Sequence, residues 1–304
     1  MTLSIVIASY NDNDQLAATV ASIRATAGEG PEIVVVDDCS VRPINFIPNV
    51  KLVRNSRRIG CGPSRFVGAM KAVGEYLLIC DSHMRFASGW YEAAMTKLRP
   101  KVLHCGRCLG LGKDMNVDAP EGAYSGATWN FCGPDRAFPR LNQVLECVWA
   151  AEQEGDDYEI PAVMGAIYFL QREWFIQMNP LRHLHLWGGD EQELSLKAWL
   201  SGGEIRLLKS VRVGHLFRQG QVSNSFVMPH HVMYNKLLVA HTCLPPEMAT
   251  RLQNKMQRNL QYGIALKNLR DDWHLIETER AYNERIFTRS FQWLLDKFKL
   301  PFPS

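Results

Sequence analysis

Short apolar runs separated by segments of helical spacing dominate the N-terminal third of the chain. Four runs of strand length are predicted to be β-strands, of which the first two are predicted to be buried: residues 3–9, 33–36, 51–54 and 76–80. Two segments between them are predicted to be helices: residues 12–26 and 63–73. In the first of these helices, Leu16, Val20 and Ile23 share one face. Because strands and helices alternate and the strands are continuously apolar, the pattern predicts a mostly parallel sheet with helices on both faces.

The rest of the chain divides into a loop-rich middle, a second ordered region and a helical tail. Residues 109–157 are rich in Gly, Pro and aromatic side chains and are predicted to be loops and short strands, with one helix near residues 141–153. The next predicted elements are a strand at 162–170, helices at 171–178 and 192–200, and short strands at 205–208 and 211–214. After Pro245-Pro246 the sequence becomes helical and charged. We therefore expect an α/β domain over residues 1–243 and a helical C-terminal extension over residues 244–304.

Polar residues follow three of the predicted strands where they end. These residues are Ser9-Tyr10-Asn11-Asp12, Asp37-Asp38-Cys39-Ser40 and Asp81-Ser82-His83. Ligands of open α/β sheets bind at the carboxyl ends of the strands, so the sequence predicts a nucleotide site along this edge. An aspartate in such a position commonly caps a helix or a turn. We interpret Asp12 in that way and Asp38 as a ligand-binding residue.

The pattern Asp81-Ser82-His83 carries the most specific chemistry. A carboxylate and an imidazole project from one strand end, and His215 offers a second imidazole much further along the chain. Oxygen and nitrogen ligands of this kind suit a divalent metal that holds a diphosphate. The alternative interpretation is an ordinary surface turn.

Composition narrows the class of protein. The chain has 304 residues, of which 46% are hydrophobic and 21% charged, which is typical of a globular protein with a substantial core. Its opening residues lack a basic segment followed by a long apolar stretch, and its longest apolar runs are of strand length. We therefore expect a cytoplasmic protein without a membrane span. The eight cysteines are expected to be reduced thiols. The oligomeric state is not indicated by the sequence.

One cysteine pair has the spacing of a zinc site. Cys105 and Cys108 form a C-x-x-C pattern, with His104 before it and Cys132 and Cys147 after it. Structural zinc requires four converging thiolate or imidazole ligands, and no second C-x-x-C follows. Zinc binding and plain core packing are both open for this pair.

Charge is unevenly distributed although the net charge is only +3, which is too small to indicate a nucleic-acid partner by itself. Seven basic residues and no acidic residue lie between positions 42 and 71: Arg42, Lys51, Arg54, Arg57, Arg58, Arg65 and Lys71. Such a run either lines an anion-binding cleft or forms a solvated face paired with acids from elsewhere.

Several stretches resemble, in the same order along the chain, the nucleotide-sugar glycosyltransferases of the GT-A fold. The likeness is greatest to the polypeptide N-acetylgalactosaminyltransferases and their bacterial and viral relatives in family 2. The stretches are residues 9–11, 36–40, 55–65, 81–83, 164–166, 187–195 and 213–218. The resemblance implies a Rossmann-like α/β fold with a mostly parallel central sheet flanked by helices. The lectin domain and membrane anchor of the animal enzymes are not expected here.

The same resemblance implies a metal and a donor. Asp81, His83 and His215 correspond to protein ligands of Mn²⁺, or of Mg²⁺, which bridges the phosphates of a UDP-sugar and stabilises the leaving nucleoside diphosphate. The donor-binding side chains that it implies are Ser9, Asp38, Arg65, Asp81, Ser82 and Arg218. Asp38 is expected to recognise the base or the ribose, while guanidinium groups support the donor and its phosphates.

The acidic cluster after Gly188-Gly189 is the candidate catalytic element. Trp187 belongs to a loop that is implied to close over the donor, and Asp190 and Glu191 follow it. An inverting enzyme would use Glu191, or failing that Asp190, as the base that deprotonates the acceptor hydroxyl. A retaining enzyme would use Asp190 to orient sugar hydroxyls and would need no strong base from the protein. Both acids also suit the start of a helix, so plain capping is a further alternative.

These features together favour a metal-dependent glycosyltransferase. A catalytically silent sugar-nucleotide or glycan-binding module on the same fold is the alternative, whereas a nucleotidyltransferase would want a glycine-rich loop after the first strand. The acceptor is left open between a glycan, a peptide, and DNA with a hydroxymethylated base. The DNA hypothesis depends on basic residues of the tail, which acidic residues follow closely. These basic residues are Arg251, Lys255, Arg258, Lys267 and Arg270.

Overall fold

The computed structural model describes residues 1–132, 144–165, 167–217 and 229–303. The elements up to residue 110 are β1 (Leu3–Ser9), α1 (Asn13–Ala27), β2 (Glu32–Asp37), β3 (Val50–Arg54), α2 (Cys61–Lys71), β4 (Tyr76–Cys80), β5 (Met84–Phe86), α3 (Trp90–Met95) and β6 (Val102–Gly110). They are followed by β7 (Gly122–Tyr124), β8 (Ala127–Asn130), β9 (Glu146–Trp149), β10 (Asp157–Glu159), β11 (Ile167–Gln171), α4 (Arg172–Met178), α5 (Asp190–Leu200) and β12 (Glu204–His215). The described C-terminal part contains α6 (His230–Cys243), α7 (Pro246–Met256), α8 (Tyr262–Asp271), α9 (Trp273–Ile286) and α10 (Phe291–Phe298).

A large mixed sheet runs through the α/β region in the order β10-β12-β6-β11-β4-β1-β2-β3. Strand β1 pairs in parallel with β2 and β4, β2 with β3, and β6 with β12. Strand β11 lies antiparallel between β4 and β6. The predicted α/β fold with a mostly parallel sheet is therefore confirmed. Since β1 and β4 are neighbours, the residues that follow them emerge side by side.

The central strands are buried on both faces, as their continuous apolar sequences predict. Val6 of β1 packs on one face of the sheet in the same core cluster as Ala69 of α2. Ile5 packs on the opposite face together with Leu16 and Ile23 of α1. Burying an aliphatic side chain of this size contributes about 1.5–3 kcal/mol. The sheet is thus a well-packed base for the polar residues at its edge.

Some elements differ from those predicted. The helix predicted near residues 141–153 is wrong in its described part, because Glu146–Trp149 is strand β9 and pairs antiparallel with β8. That pairing satisfies the backbone groups that a helix would have satisfied internally. The two short strands predicted between residues 205 and 214 are the single strand β12, with a shift of register between Leu208 and Arg212. Helix α5 begins at Asp190, two residues earlier than predicted.

Residues after 243 are helical, as the sequence predicts. Leu252, Leu269 and Phe291 from these helices lie in the same core cluster as Leu194 of α5. The division into a domain and an extension stays a prediction. In the described part of the chain, no helix is long and apolar enough to cross a lipid bilayer. All eight cysteines are free thiols.

Candidate metal and nucleotide site

Strand β12 brings His215 back to the end of β4. It pairs antiparallel with β5 in a register that places His215 opposite Met84, next to His83. The two Nε2 atoms of the histidines lie 3.2 Å apart. Asp81 Oδ2 lies 3.3 Å from His215 Nε2 and 3.9 Å from His83 Nε2. A triangle of these dimensions has a point about 2.0 Å from every corner, the length of a metal–nitrogen bond in proteins.

Asp81, His83 and His215 are the group of side chains, among the described residues, whose ligand atoms lie close enough together to hold a metal ion. A carboxylate oxygen and two imidazole nitrogens are a donor set that suits a divalent transition metal. His215 Nδ1 is buried and makes no hydrogen bond within the described residues. The Asp81, His83 and His215 side chains that the sequence singled out are therefore brought together by the fold.

Asp12 belongs to this site, which corrects its interpretation as a helix cap. It immediately precedes α1, but its side chain makes no capping hydrogen bond. Its Oδ2 instead accepts a hydrogen bond from Ser82 Oγ at 2.6 Å and lies 3.1 Å from His83 Nδ1. A histidine that binds a metal commonly donates its other ring N–H to a carboxylate, which fixes the tautomer. Sequence reasoning missed this role, although the predicted position of Asp12 and His83 along the same edge of the sheet was a signal for it.

Arg65 of α2 joins the metal-binding triangle to α5. Its Nη1 donates to Asp190 Oδ2 at 2.6 Å, and its Nη2 pairs with Asp81 Oδ1. Burial alone would lower the pKa of Arg65, but Asp190 and Asp81 outweigh burial and raise it well above its usual value. Burial would likewise raise the pKa of Asp81, and Arg65 with the two histidines lowers it instead. The buried Arg65 guanidinium and the Asp81 carboxylate are thus both charged.

The acidic pair predicted to be catalytic opens helix α5. Asp190 is buried, with Cys61 Sγ 3.7 Å from its Oδ2 in addition to Arg65. Glu191 is half-buried, and its Oε1 accepts hydrogen bonds from Gly165 N–H at 3.2 Å and Tyr168 Oη at 3.3 Å. The helix dipole favours negative charge in the first turn of α5, which is consistent with the capping interpretation. A cap would not need the further contacts that Asp190 makes with α2 and that Glu191 makes with Tyr168 of β11.

Glu191 differs electrostatically from Asp190. Burial, reinforced by the negative charge of Asp190, raises the pKa of Glu191 to about 7. No guanidinium contacts Glu191 within the described hydrogen bonds and ion pairs, whereas Arg65 contacts Asp190 directly. Adjacent carboxylates held in different environments are a common arrangement for groups with separate acid and base roles.

Ser9, Asp38 and Ser82, three of the predicted donor-binding residues, lie at or just beyond the ends of β1, β2 and β4. Ser9 is buried, and its hydroxyl makes no hydrogen bond within the described residues. Asp38 is buried and accepts hydrogen bonds from Asn55 Nδ2, Ile59 N–H and Gly60 N–H at 2.8–3.0 Å. Asp38 therefore holds the loop before α2, and a contact with base or ribose stays a prediction. Ser82 donates its hydroxyl hydrogen bond to Asp12, and a contact between Ser82 and the donor also stays a prediction.

Of the remaining predicted residues, Trp187 lies on the turn before α5 and is 52% exposed. Arg218 lies outside the described residues. The basic run has mixed uses in the structure: Arg54 pairs with Asp37, and the Arg58 guanidinium stacks over the Tyr10 ring at 3.9 Å. The run is therefore partly structural and not a single anion-binding face.

The cysteine pair does not form a metal site in the described structure. Cys105 and Cys108 both lie on β6, three positions apart, so that their side chains point to opposite faces of the strand. Burial raises the pKa of Cys108 to about 12 and the pKa of Cys105 further, which disfavours the thiolate form that zinc binds. Core packing is the interpretation that the geometry supports.

The chain is similar to known glycosyltransferases. The family model described as Glycosyl transferase family 2 matches residues 4–109. The putative polypeptide N-acetylgalactosaminyltransferase 13 of Drosophila melanogaster is 27% identical over 244 residues, which cover 71% of this chain and 42% of the relative. Polypeptide N-acetylgalactosaminyltransferase 11 of Xenopus tropicalis is 27% identical over 317 residues, which cover 96% of this chain and 49% of the relative. The chain thus spans about half the length of the curated relatives it matches.

A solved structure shows the same fold. The crystal structure of GalNAc-T7 with UDP, GalNAc and Mn²⁺ superposes with a TM-score of 0.71 at 21% sequence identity, covering 98% of this chain and 57% of the other. The chain therefore has the fold of the GT-A glycosyltransferases and resembles the catalytic domains of the polypeptide N-acetylgalactosaminyltransferases.

Proposed function

We propose that this protein transfers a sugar from a UDP-linked donor to an acceptor hydroxyl, with Mn²⁺ or Mg²⁺ held by Asp81, His83 and His215. The observation that carries the proposal is the convergence of Asp81 Oδ2 and the two histidine Nε2 atoms within 3.2–3.9 Å at the end of β4. This edge of an α/β sheet is where nucleotides bind. When bound, the metal would neutralise the donor phosphates and stabilise UDP as the leaving group.

The residues around the triangle support a donor site. Asp12 orients His83 through its Nδ1 atom. Ser9 Oγ and Arg65 Nε are buried polar atoms without a hydrogen bond in the described structure, and such atoms commonly serve a ligand. We propose that both contact the donor, with Asp38 shaping the loop beside it.

The transfer requires one bond to break and one to form. The bond between the anomeric carbon and the β-phosphate oxygen breaks, and its electron pair leaves with UDP. The acceptor oxygen bonds to the anomeric carbon and loses its proton. In an inverting reaction we propose that Glu191 accepts this proton, because its pKa of about 7 suits a general base at neutral pH. In a retaining reaction the leaving phosphate accepts it and Asp190 orients the sugar. The anomeric configuration of the product, read by NMR, distinguishes these routes.

The metal triangle does not indicate the acceptor. A panel of candidate substrates is needed to identify it. Glycans, serine- and threonine-containing peptides, and duplex DNA with hydroxymethylated bases each offer the required hydroxyl. The DNA proposal is supported by the exposure of the basic residues Arg251, Lys255, Arg258, Lys267 and Arg270 on and between α7 and α8. Lys267 already pairs with Asp271 at 2.9 Å, which weakens that support. Binding of DNA that falls steeply with added salt would favour it.

A thermal-shift experiment with UDP, UDP-GalNAc and UDP-GlcNAc, each with and without Mn²⁺, tests the donor and the metal. A ligand that binds the folded state raises the melting temperature. Asp81→Ala and His215→Ala are expected to abolish the Mn²⁺-dependent shift, whereas His274→Ala, at an exposed position of α9, is expected to retain it. A shift that survives both site substitutions would refute the metal site. Metal-dependent binding without turnover of any donor would identify a silent binding module.

A further inference from the structure

Asn235 of α6 is a fully buried side chain, and among the described residues its side-chain hydrogen bonds all go to the turn formed by residues 185–188. Its Oδ1 accepts a hydrogen bond from His185 N–H at 2.7 Å. Its Nδ2 donates to the carbonyl oxygens of His185, Trp187 and Gly188 at 2.8, 3.2 and 2.6 Å. Both ends of the carboxamide are therefore committed to this turn.

The turn requires a partner of this kind because its own backbone is irregular. Leu186, Gly188 and Gly189 have φ angles of 51°, 89° and 91°, in the left-handed region. Backbone of this shape forms neither a helix nor a ladder, so its polar groups need other partners once they are buried. The Asn235 carboxamide supplies those partners from α6.

The same turn lies between the two helices that bear the Arg65–Asp190 ion pair. On one side, Cys61 N–H at the start of α2 donates to Leu186 O at 2.7 Å. Gly60 approaches so closely that a Cβ atom there would lie 2.5 Å from Leu186 Cα. On the other side, α5 starts with Asp190 directly after Gly189. A displacement of the turn would therefore move the start of α2 and the start of α5.

We infer that Asn235 is a positioning residue for the candidate catalytic residues Trp187, Asp190 and Glu191. Its carboxamide holds the turn, and the turn fixes Trp187 at the surface and Asp190 and Glu191 at the start of α5. Asn235 contacts none of the metal-binding side chains in the described hydrogen bonds. The kinetic part of this inference rests on the proposed glycosyl transfer, while the part that concerns the turn does not. A displacement of about 1 Å at a catalytic group can cost about 100-fold in rate.

The first test compares two buried asparagines. Asn235→Asp keeps the side-chain shape and the Oδ1 acceptor but loses the donors to the turn. Asn283→Asp is the matched control, because Asn283 of α9 is also buried and donates to the Thr242 carbonyl at 2.9 Å, near the end of α6 and away from the turn at residues 185–188. Asn235→Asp is expected to lower kcat by about tenfold or more, with the donor KM and the UDP–Mn²⁺ thermal shift within about twofold of wild type. Asn283→Asp is expected to lower the melting temperature alone.

A double-substitution cycle then asks whether Asn235 acts through Trp187. If it does, Asn235→Asp combined with Trp187→Ala is expected to be no slower than the slower single variant, since both act on the same turn. Unchanged kcat in Asn235→Asp, or kcat losses that multiply in the double variant, would overturn the inference.

Hydrogen exchange separates this inference from the proposed function. Amides of residues 185–189 are expected to exchange faster in Asn235→Asp than in wild type or Asn283→Asp, because the turn loses its buried partners. If wild type turns over no UDP-sugar, the proposed function fails and the exchange result decides the positioning role. Unchanged exchange at residues 185–189 would then overturn it.

Discussion

Arg65 Nη1 lies 2.6 Å from Asp190 Oδ2, and through its Nη2 the same guanidinium pairs with Asp81. A single buried cation thus connects the residue that follows β4 to the first residue of α5. The planar fork of arginine can contact two carboxylates at once, which a lysine cannot do with the same geometry. The metal-binding triangle and the acidic pair are therefore coupled through Arg65.

Replacing Arg65 by methionine is expected to destabilise the fold strongly. The buried Asp190 and the partly exposed Asp81 would lose their cation, and breaking a buried ion pair such as Arg65–Asp190 costs about 3–5 kcal/mol. Urea denaturation measures the change in the free energy of unfolding. Arg99→Met is the control, because that side chain is 44% exposed and its ion pairs are 3.7–3.8 Å long, so its loss is expected to cost about 1 kcal/mol or less. Equal losses of unfolding free energy in the two variants would contradict the role of Arg65 as the cation shared by Asp81 and Asp190.

Replacing Asp12 by asparagine is expected to weaken metal binding without removing a ligand. The substitution alters the group that faces His83 Nδ1 at 3.1 Å, and such outer partners are worth about 10–100-fold in metal affinity. Titration of the UDP-bound protein with Mn²⁺ gives the affinity. Asp14→Asn, two residues further on and exposed, is expected to bind Mn²⁺ like wild type. An unchanged affinity in Asp12→Asn would show that Asp12 does not orient His83.

Glu191 is expected to make the fold less stable as pH rises. Burial and Asp190 raise its pKa from 4.5 to about 7, so the folded protein retains a proton that the unfolded chain releases at lower pH. Stability is then lost as pH rises between those two values, by up to about 3 kcal/mol before solvent screening is taken into account.

Glu191→Gln removes this titration, so its advantage over wild type in the free energy of unfolding is expected to grow between about pH 5 and about pH 8. Glu173→Gln provides the control, since Glu173 lies in the first turn of α4 but is exposed. The interpretation would be wrong if Glu191→Gln followed the wild-type pH dependence throughout.

His104 is expected to have the opposite effect. It is fully buried on β6, and burial lowers its pKa from 6.5 to about 4. Below the higher value the unfolded chain takes up a proton that the folded protein does not, so stability falls as pH decreases toward the lower value, by up to about 3 kcal/mol.

His104→Leu removes this source of acid sensitivity and is expected to flatten the fall in unfolding free energy between about pH 6.5 and about pH 4. His274→Ala, at an exposed position, is expected to leave that fall unchanged. Identical acid profiles for His104→Leu and wild type would refute the assignment.

The sequence determined the strands and the local half of the candidate site. Continuous apolar runs such as Tyr76–Cys80 have one good solution, a strand covered on both faces, and the polar residues after such a strand must lie at the sheet edge. Asp81 and His83 are two residues apart, so their proximity was readable from the chain. The helix predicted near residues 141–153 is wrong over Glu146–Trp149, where pairing with β8 outweighed local preference.

Tertiary structure alone decided the contacts between residues far apart in the chain. His215 reaches His83 only through the antiparallel register of β12 with β5. Arg65 meets Asp190 across 125 positions, and Asn235 meets the turn at residues 185–188 across about 50. These contacts depend on strand order and helix packing, which bring together groups without any periodic signature in the sequence. Periodicity reports which face of an element is buried, whereas the partner of a buried polar group is set by the neighbour that packs against it.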